Sequence, residues 1–192
     1  MAQTTQPTSP DRDPRDELQL LAAYRDGDRE AAEVLVDRTY GLVFAALFRL
    51  TGGDEDLTAD LTQEAYRRAW QALPRFRGRS RVSTWLYRIA YTTFLNHVRR
   101  PRAVQPPEVA PEPADPAPDP QERAATASAQ RRLRRAVLDL PDDLRFPVTA
   151  RFWGEVPVRE IARQEGLTPQ AVNKRLRKAM RRLADTLQED TP

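Results

Sequence analysis

Eight of the twenty residues from Pro101 to Pro120 are proline. Proline fixes φ near about −65° and carries no backbone N–H, so neither a helix interior nor a central strand can run through such a stretch. The 192-residue chain is therefore divided into two halves, each of which must build its own core, joined by an extended linker. Glu108, Glu112, Asp115 and Asp119 are the only acids of this segment, and no basic residue follows Arg102 in it. Two readings stay open for it: a plain spacer, or an acidic strand suited to a basic channel in a partner.

Both flanking halves read as helical. Leu18, Leu21 and Ala22 begin an apolar stripe that ends near Gly27. Asp28 is placed to cap a second helix, in which Ala32, Leu35, Val36, Val43, Ala46, Leu47 and Leu50 recur at helical spacing until Thr51-Gly52-Gly53-Asp54 breaks it. A third helix is expected from Glu55 to Leu73, stopped by Pro74, and a fourth from Ser80 to Arg100. Beyond the linker, helices are expected from Gln121 to Leu140, from Asp142 or Asp143 to Trp153, briefly around Val158, Ile161 and Ala162, and from Pro169 onward. The last should bury Val172, Leu176, Ala179, Met180, Leu183 and Leu187. No segment alternates as a strand would. The expected fold class is all-α: two small helical domains, 16–100 and 121–188, joined by the flexible Pro-rich linker 101–120 and preceded by a disordered tail, 1–15.

Composition narrows the chemistry. The chain has no cysteine and one histidine, His97, so a disulfide framework, a thiolate metal site and most histidine-based catalytic arrangements are excluded. No metal, cofactor or catalytic residue is expected, since the carboxylates do not converge and no glycine-rich phosphate loop is present. No apolar run approaches the roughly 18 residues of a membrane span. MAQTTQPTSPDRDP lacks the basic start and apolar core of a secretory signal, and a cytoplasmic location is expected. The net charge is only +3, but its distribution is uneven: from Ala65 to Arg102 there are ten arginines and no Asp or Glu. Arginines crowded on an exposed loop repel one another, and a polyanion relieves that repulsion.

In the second half, VREIARQE, a glycine-containing turn and PQAVNKRLRKAMRR have the rhythm of a helix-turn-helix. Between Thr168 and Arg182 there are six basic residues and no acid. With the apolar stripe turned inward, Asn173, Lys174, Arg177, Lys178 and Arg181 fall largely on the other faces, as a major-groove recognition helix requires.

DLTQEAYRRAWQALPRFRGRSRVSTWLYRIA resembles region 2 of the extracytoplasmic-function (ECF, group IV) sigma factors of RNA polymerase, and LPDDLRFPVTARFWGEVPVREIARQEGLTPQAVNKRLRKAMRRL resembles their region 4. The order, the spacing and the linker between them are similar as well, over roughly residues 16 to 188. The resemblance implies a transcription-initiation subunit and not an enzyme. It implies that Asp60, Gln63, Glu64 and Arg67 dock on the β′ clamp helices of core RNA polymerase, and that the second domain sits on the β flap. It implies −10 promoter contacts by Phe76, Arg77, Gly78, Arg79, Ser80, Arg81, Ser83, Arg88, Thr92 and Asn96. In that reading arginines meet phosphates, Ser80 and Ser83 meet a base edge, and Phe76 stacks on a base. Unstacking costs a few kcal/mol per base, and stacking on an aromatic side chain returns about 1–3 kcal/mol. Trp85, Tyr87, Tyr91 and Phe94 stay open between core and DNA contact. The −35 element falls to Thr168, Gln170, Asn173, Lys174, Arg175, Arg177 and Lys178. The family also implies an anti-sigma factor as a partner.

Three positions depart from the common family pattern. Arg79 stands where many members have Asp, Thr92 where many have Asn, and Ala171 where many have Thr. The first two lie where base identity is chosen, so the promoter sequence does not carry over. Two alternatives remain: a sigma-like mimic that binds an anti-sigma protein without touching DNA, and an ordinary helix-turn-helix regulator.

Overall fold

Asp28 and Asp54 begin two of the helices for the reason their chemistry suggests: each side chain accepts a hydrogen bond from a backbone N–H three residues on, at Ala31 (3.2 Å) and Leu57 (2.9 Å). Such caps satisfy donors that a helix start leaves without partners. A computed structural model of the chain describes residues 14–99 and 120–189. Among these are eight α-helices and no strand. Helix α1 spans Pro14–Arg25, α2 Arg29–Thr51, α3 Glu55–Ala72 and α4 Val82–Arg99. Then follow α5 (Pro120–Leu138), α6 (Asp142–Phe152), α7 (Val158–Glu165) and α8 (Pro169–Glu189). The expected tail and linker lie outside the described residues, save that α1 begins at Pro14 and α5 at Pro120.

Helix α2 is the spine of the first unit. Ala46, Leu47 and Leu50 are fully buried on it, and α3, α4 and α1 pack around it. Leu61, Ala65 and Ala69 from α3 and Val82, Leu86, Ala90 and Phe94 from α4 complete this core. Buried hydroxyls are satisfied locally: Thr51 and Thr58 share a hydrogen bond at 2.8 Å, and Thr39 pairs with the Tyr66 hydroxyl at 2.8 Å. Burial pushes the Tyr66 phenol up to about 12, which keeps it a neutral donor. Pro74 ends α3 in a single 3-10 turn, Leu73–Arg75, and α4 starts two residues later than expected, at Val82.

In the second unit α8 is the organising helix, packed by α5, α6 and α7. Ile161 and Ala162 of α7 and Val172, Ala179 and Leu183 of α8 are buried. Met180 departs from expectation and is 48% exposed. At about 100° per residue it lies about 80° round the helix from Val172, at the edge of the apolar stripe.

The two units touch. Phe146 of α6 packs on Tyr87 and Tyr91 of α4, with ring centroids 6.2 and 5.2 Å apart. Arg134 donates to the Thr51 carbonyl at 2.6 Å and Arg49 to the Trp153 carbonyl at 2.7 Å. Gly154 allows close approach here: a Cβ on it would stand 2.4 Å from the Tyr87 ring. Leu47→Ala should lower the unfolding free energy of the first unit by about 2–5 kcal/mol, measured by urea denaturation. The exposed Leu42→Ala should leave the midpoint nearly unchanged.

Candidate nucleic-acid interface

Helix α7, the turn at Gly166 and helix α8 form the expected helix-turn-helix. Gly166 adopts φ 66° and its N–H closes on the Ala162 carbonyl. A side chain in that left-handed region would strain the turn. The Thr168 hydroxyl accepts the Ala171 N–H at 3.2 Å, so Thr168 caps α8. Gln170, Asn173, Lys174, Arg177 and Lys178 are exposed. Positions 173, 174, 177 and 178 are neighbours one turn apart and form one basic face. Arg175 is different: it is half-buried and faces Glu165 at 3.5 Å.

The arginine loop follows Pro74. Arg77, Gly78 and Arg79 are exposed, with Gly78 at φ 67°. Phe76 and Ser80 are buried, and the Phe76 ring lies 4.8 Å from that of Trp85. The ring expected to stack on a base is thus packed inside the fold in this conformation. The Ser83 hydroxyl, expected at a base edge, lies 3.4 Å from Glu17 Oε2, and the same oxygen accepts the Ser83 N–H at 3.1 Å. Arg81 donates its backbone N–H to Glu160 Oε2 at 3.4 Å. On α4, Arg88 stands 2.5 Å from Glu165 and 4.6 Å over the Phe146 ring. Thr92 and Asn96 are exposed, and Thr92 donates to the Arg88 carbonyl. Of the four aromatics left open, Tyr87, Tyr91 and Phe94 are core and Trp85 is half-buried.

The third cluster lies on α3. Asp60, Gln63 and Arg67 are exposed and Glu64 is half-buried. Arg67 pairs with Glu64 through two 2.7 Å contacts and Arg68 through one at 2.6 Å. Hydrogen bonds from Arg67 and Arg68 hold the Glu64 carboxyl at about 2. This surface is therefore fixed in charge at neutral pH.

Two helical units, one presenting an arginine loop and the other a basic recognition helix, match two family patterns in the same order. The pattern described as Sigma-70 region 2 matches residues 35–104, and that described as Sigma-70, region 4 matches residues 130–183. The chain belongs to the ECF branch of the sigma-70 family. The ECF RNA polymerase sigma factor SigM of Mycobacterium tuberculosis is 32% identical over 176 residues, covering 92% of this chain and 87% of the relative. The RNA polymerase sigma-H factor of Pseudomonas aeruginosa is 30% identical over 154 residues, 75% of this chain and 79% of that one. Among solved structures, CnrH in complex with the cytosolic domain of CnrY shares the fold, with TM-score 0.64 and 23% identity over 93% of this chain and 100% of that one.

In this sigma factor the acids that approach the two basic faces escaped sequence reasoning. Glu17, Glu160 and Glu165 sit on amphipathic helices where any acid reads as solvated, and their contacts with the arginine loop and α4 reach across 66 to 79 residues of chain. The Glu64 cluster, by contrast, is local and exposed, and such pairs contribute little to stability. What it contributes is present above the unfolded-state value of 4.5 and lost as pH falls toward about 2. Glu64→Gln should accordingly leave the thermal unfolding midpoint at pH 7 nearly unchanged, as followed by circular dichroism. A clear drop would make the cluster a structural element.

Proposed function

We propose that this sigma factor brings core RNA polymerase to its promoters by dividing the task between its two units, and that the site residues follow that division. The observation that carries the proposal is the pairing, in one chain, of an arginine loop on a region 2 unit with an exposed basic recognition helix on a region 4 unit. Asp60, Gln63, Glu64 and Arg67 form a mixed-charge face on α3, suited to the β′ clamp helices, and region 4 would seat on the β flap. Arg77 and Arg79 are free to meet the phosphates of the −10 element, and Gly78 keeps their backbone low. Asn173, Lys174, Arg177 and Lys178 would read the −35 element. Lys174 and Arg177 carry charge to its phosphates and guanine edges, and Asn173 suits adenine.

Phe76, Ser80, Ser83 and Arg88 reach DNA only if the loop and the domain contact rearrange. Burial of Phe76 against Trp85 makes it the support of the loop until that happens. We assign no catalytic step to the chain, whose part is positioning and melting. No described helix is long and apolar enough to cross a membrane, and the reading places the chain in the cytoplasm with the polymerase. RpoE of Bartonella quintana has been solved with the anti-sigma factor NepR, and a partner of that class is proposed for this chain too.

The decisive experiment is run-off transcription with bacterial core polymerase and a promoter pool randomised at the −10 and −35 boxes. Transcripts starting a fixed distance from enriched boxes are expected. Core binding without transcripts would favour the mimic, and neither would leave a conventional DNA-binding regulator. Arg77→Ala with Arg79→Ala should depress open-complex yield while core affinity holds, and the fold loss in promoter affinity should be largest at low salt, where the missing phosphate contacts count most. Lys174→Ala with Arg177→Ala should weaken −35-dependent promoters and reduce the log–log salt slope of region 4 binding by about 2.

A further inference from the structure

Helix α1 lies wholly outside the matched region 2 segment, which begins at residue 35, yet it holds both ends of the arginine loop. At the start of the loop, Arg25 Nη2 donates to the carbonyls of Leu73 (2.9 Å) and Phe76 (2.6 Å). At its end, Glu17, only 4% exposed, accepts the Ser83 N–H at 3.1 Å. Between them Leu18 stands under Gly78, 3.6 Å from where a Cβ would be. A buried carboxylate is costly unless its oxygens find donors, and the first turn of α4 has donors without intrahelical partners. The match fixes where α4 begins, and therefore where the loop ends.

We propose that Glu17 and Arg25 are positioning residues for −10 recognition. They touch no DNA but set the span and height of the segment 76–83, so that Arg77 and Arg79 project together. This inference rests on reading the loop as the −10 binder. Its test is the reconstituted holoenzyme carrying Glu17→Ala, Arg25→Met or Glu17→Gln, assayed for open-complex yield, core affinity and binding to a −35 duplex. Each of the first two should lower open-complex yield by about tenfold, the size expected for one or two lost part-buried hydrogen bonds to a charged group. Core affinity and −35 binding should stay at wild-type values, and Glu17→Gln, which keeps an acceptor for Ser83, should recover most of the yield. Unchanged yield in both variants would overturn the proposal. So would a parallel fall in core affinity, which would make α1 a part of the fold and nothing more. Absence of promoter opening by the wild type would instead sink the functional reading beneath it.

Discussion

Mutual repulsion among arginines is the constraint around which this molecule is arranged. With 31 basic residues, 29 of them arginine, it must keep some guanidinium groups free for phosphate without letting the rest force the fold apart. The structure does this by position. Arg67 and Arg68 share Glu64, Arg163 holds Glu160 at 2.8 Å, and Arg88 and Arg175 meet at Glu165. Arg77, Arg79, Lys174 and Arg177 are left exposed. The carboxylates lie behind or between the basic faces, and not on them.

That arrangement links packing to function. Helix α4 is the common element: its inner side closes the region 2 core, its first turn ends the arginine loop, and its Tyr87 and Tyr91 receive Phe146 of the other unit. Burial pushes the Tyr91 phenol up to about 12 and the Tyr87 phenol above its ordinary range. Both therefore stay neutral where they pack against Phe146. The contact reaches the loop through Arg81, whose backbone N–H meets Glu160 of the other unit.

The fold was largely legible because its signals are local. Asp28, Asp54, Pro74, Gly166 and Pro169 mark helix ends by chemistry that acts within four residues, and the structure places ends at or next to them. The recognition helix was legible for the same reason, as a stripe with a basic face. The site was less so. Phe76, the base-stacking candidate that the family resemblance implies, turns its ring back onto Trp85, nine residues on. The Ser83 hydroxyl turned out to meet an acid from α1. Pairings such as Glu165 with Arg88 depend on how two units meet, and no periodicity within either records it.

The central claim is that the chain, with core polymerase, opens DNA at the −10 element. Permanganate reactivity of thymines there tests it most directly. The account predicts unstacked, reactive thymines with core polymerase and this chain together, and none with core polymerase alone. Stable binding at the −35 element with no reactive thymine at any promoter tested would contradict it.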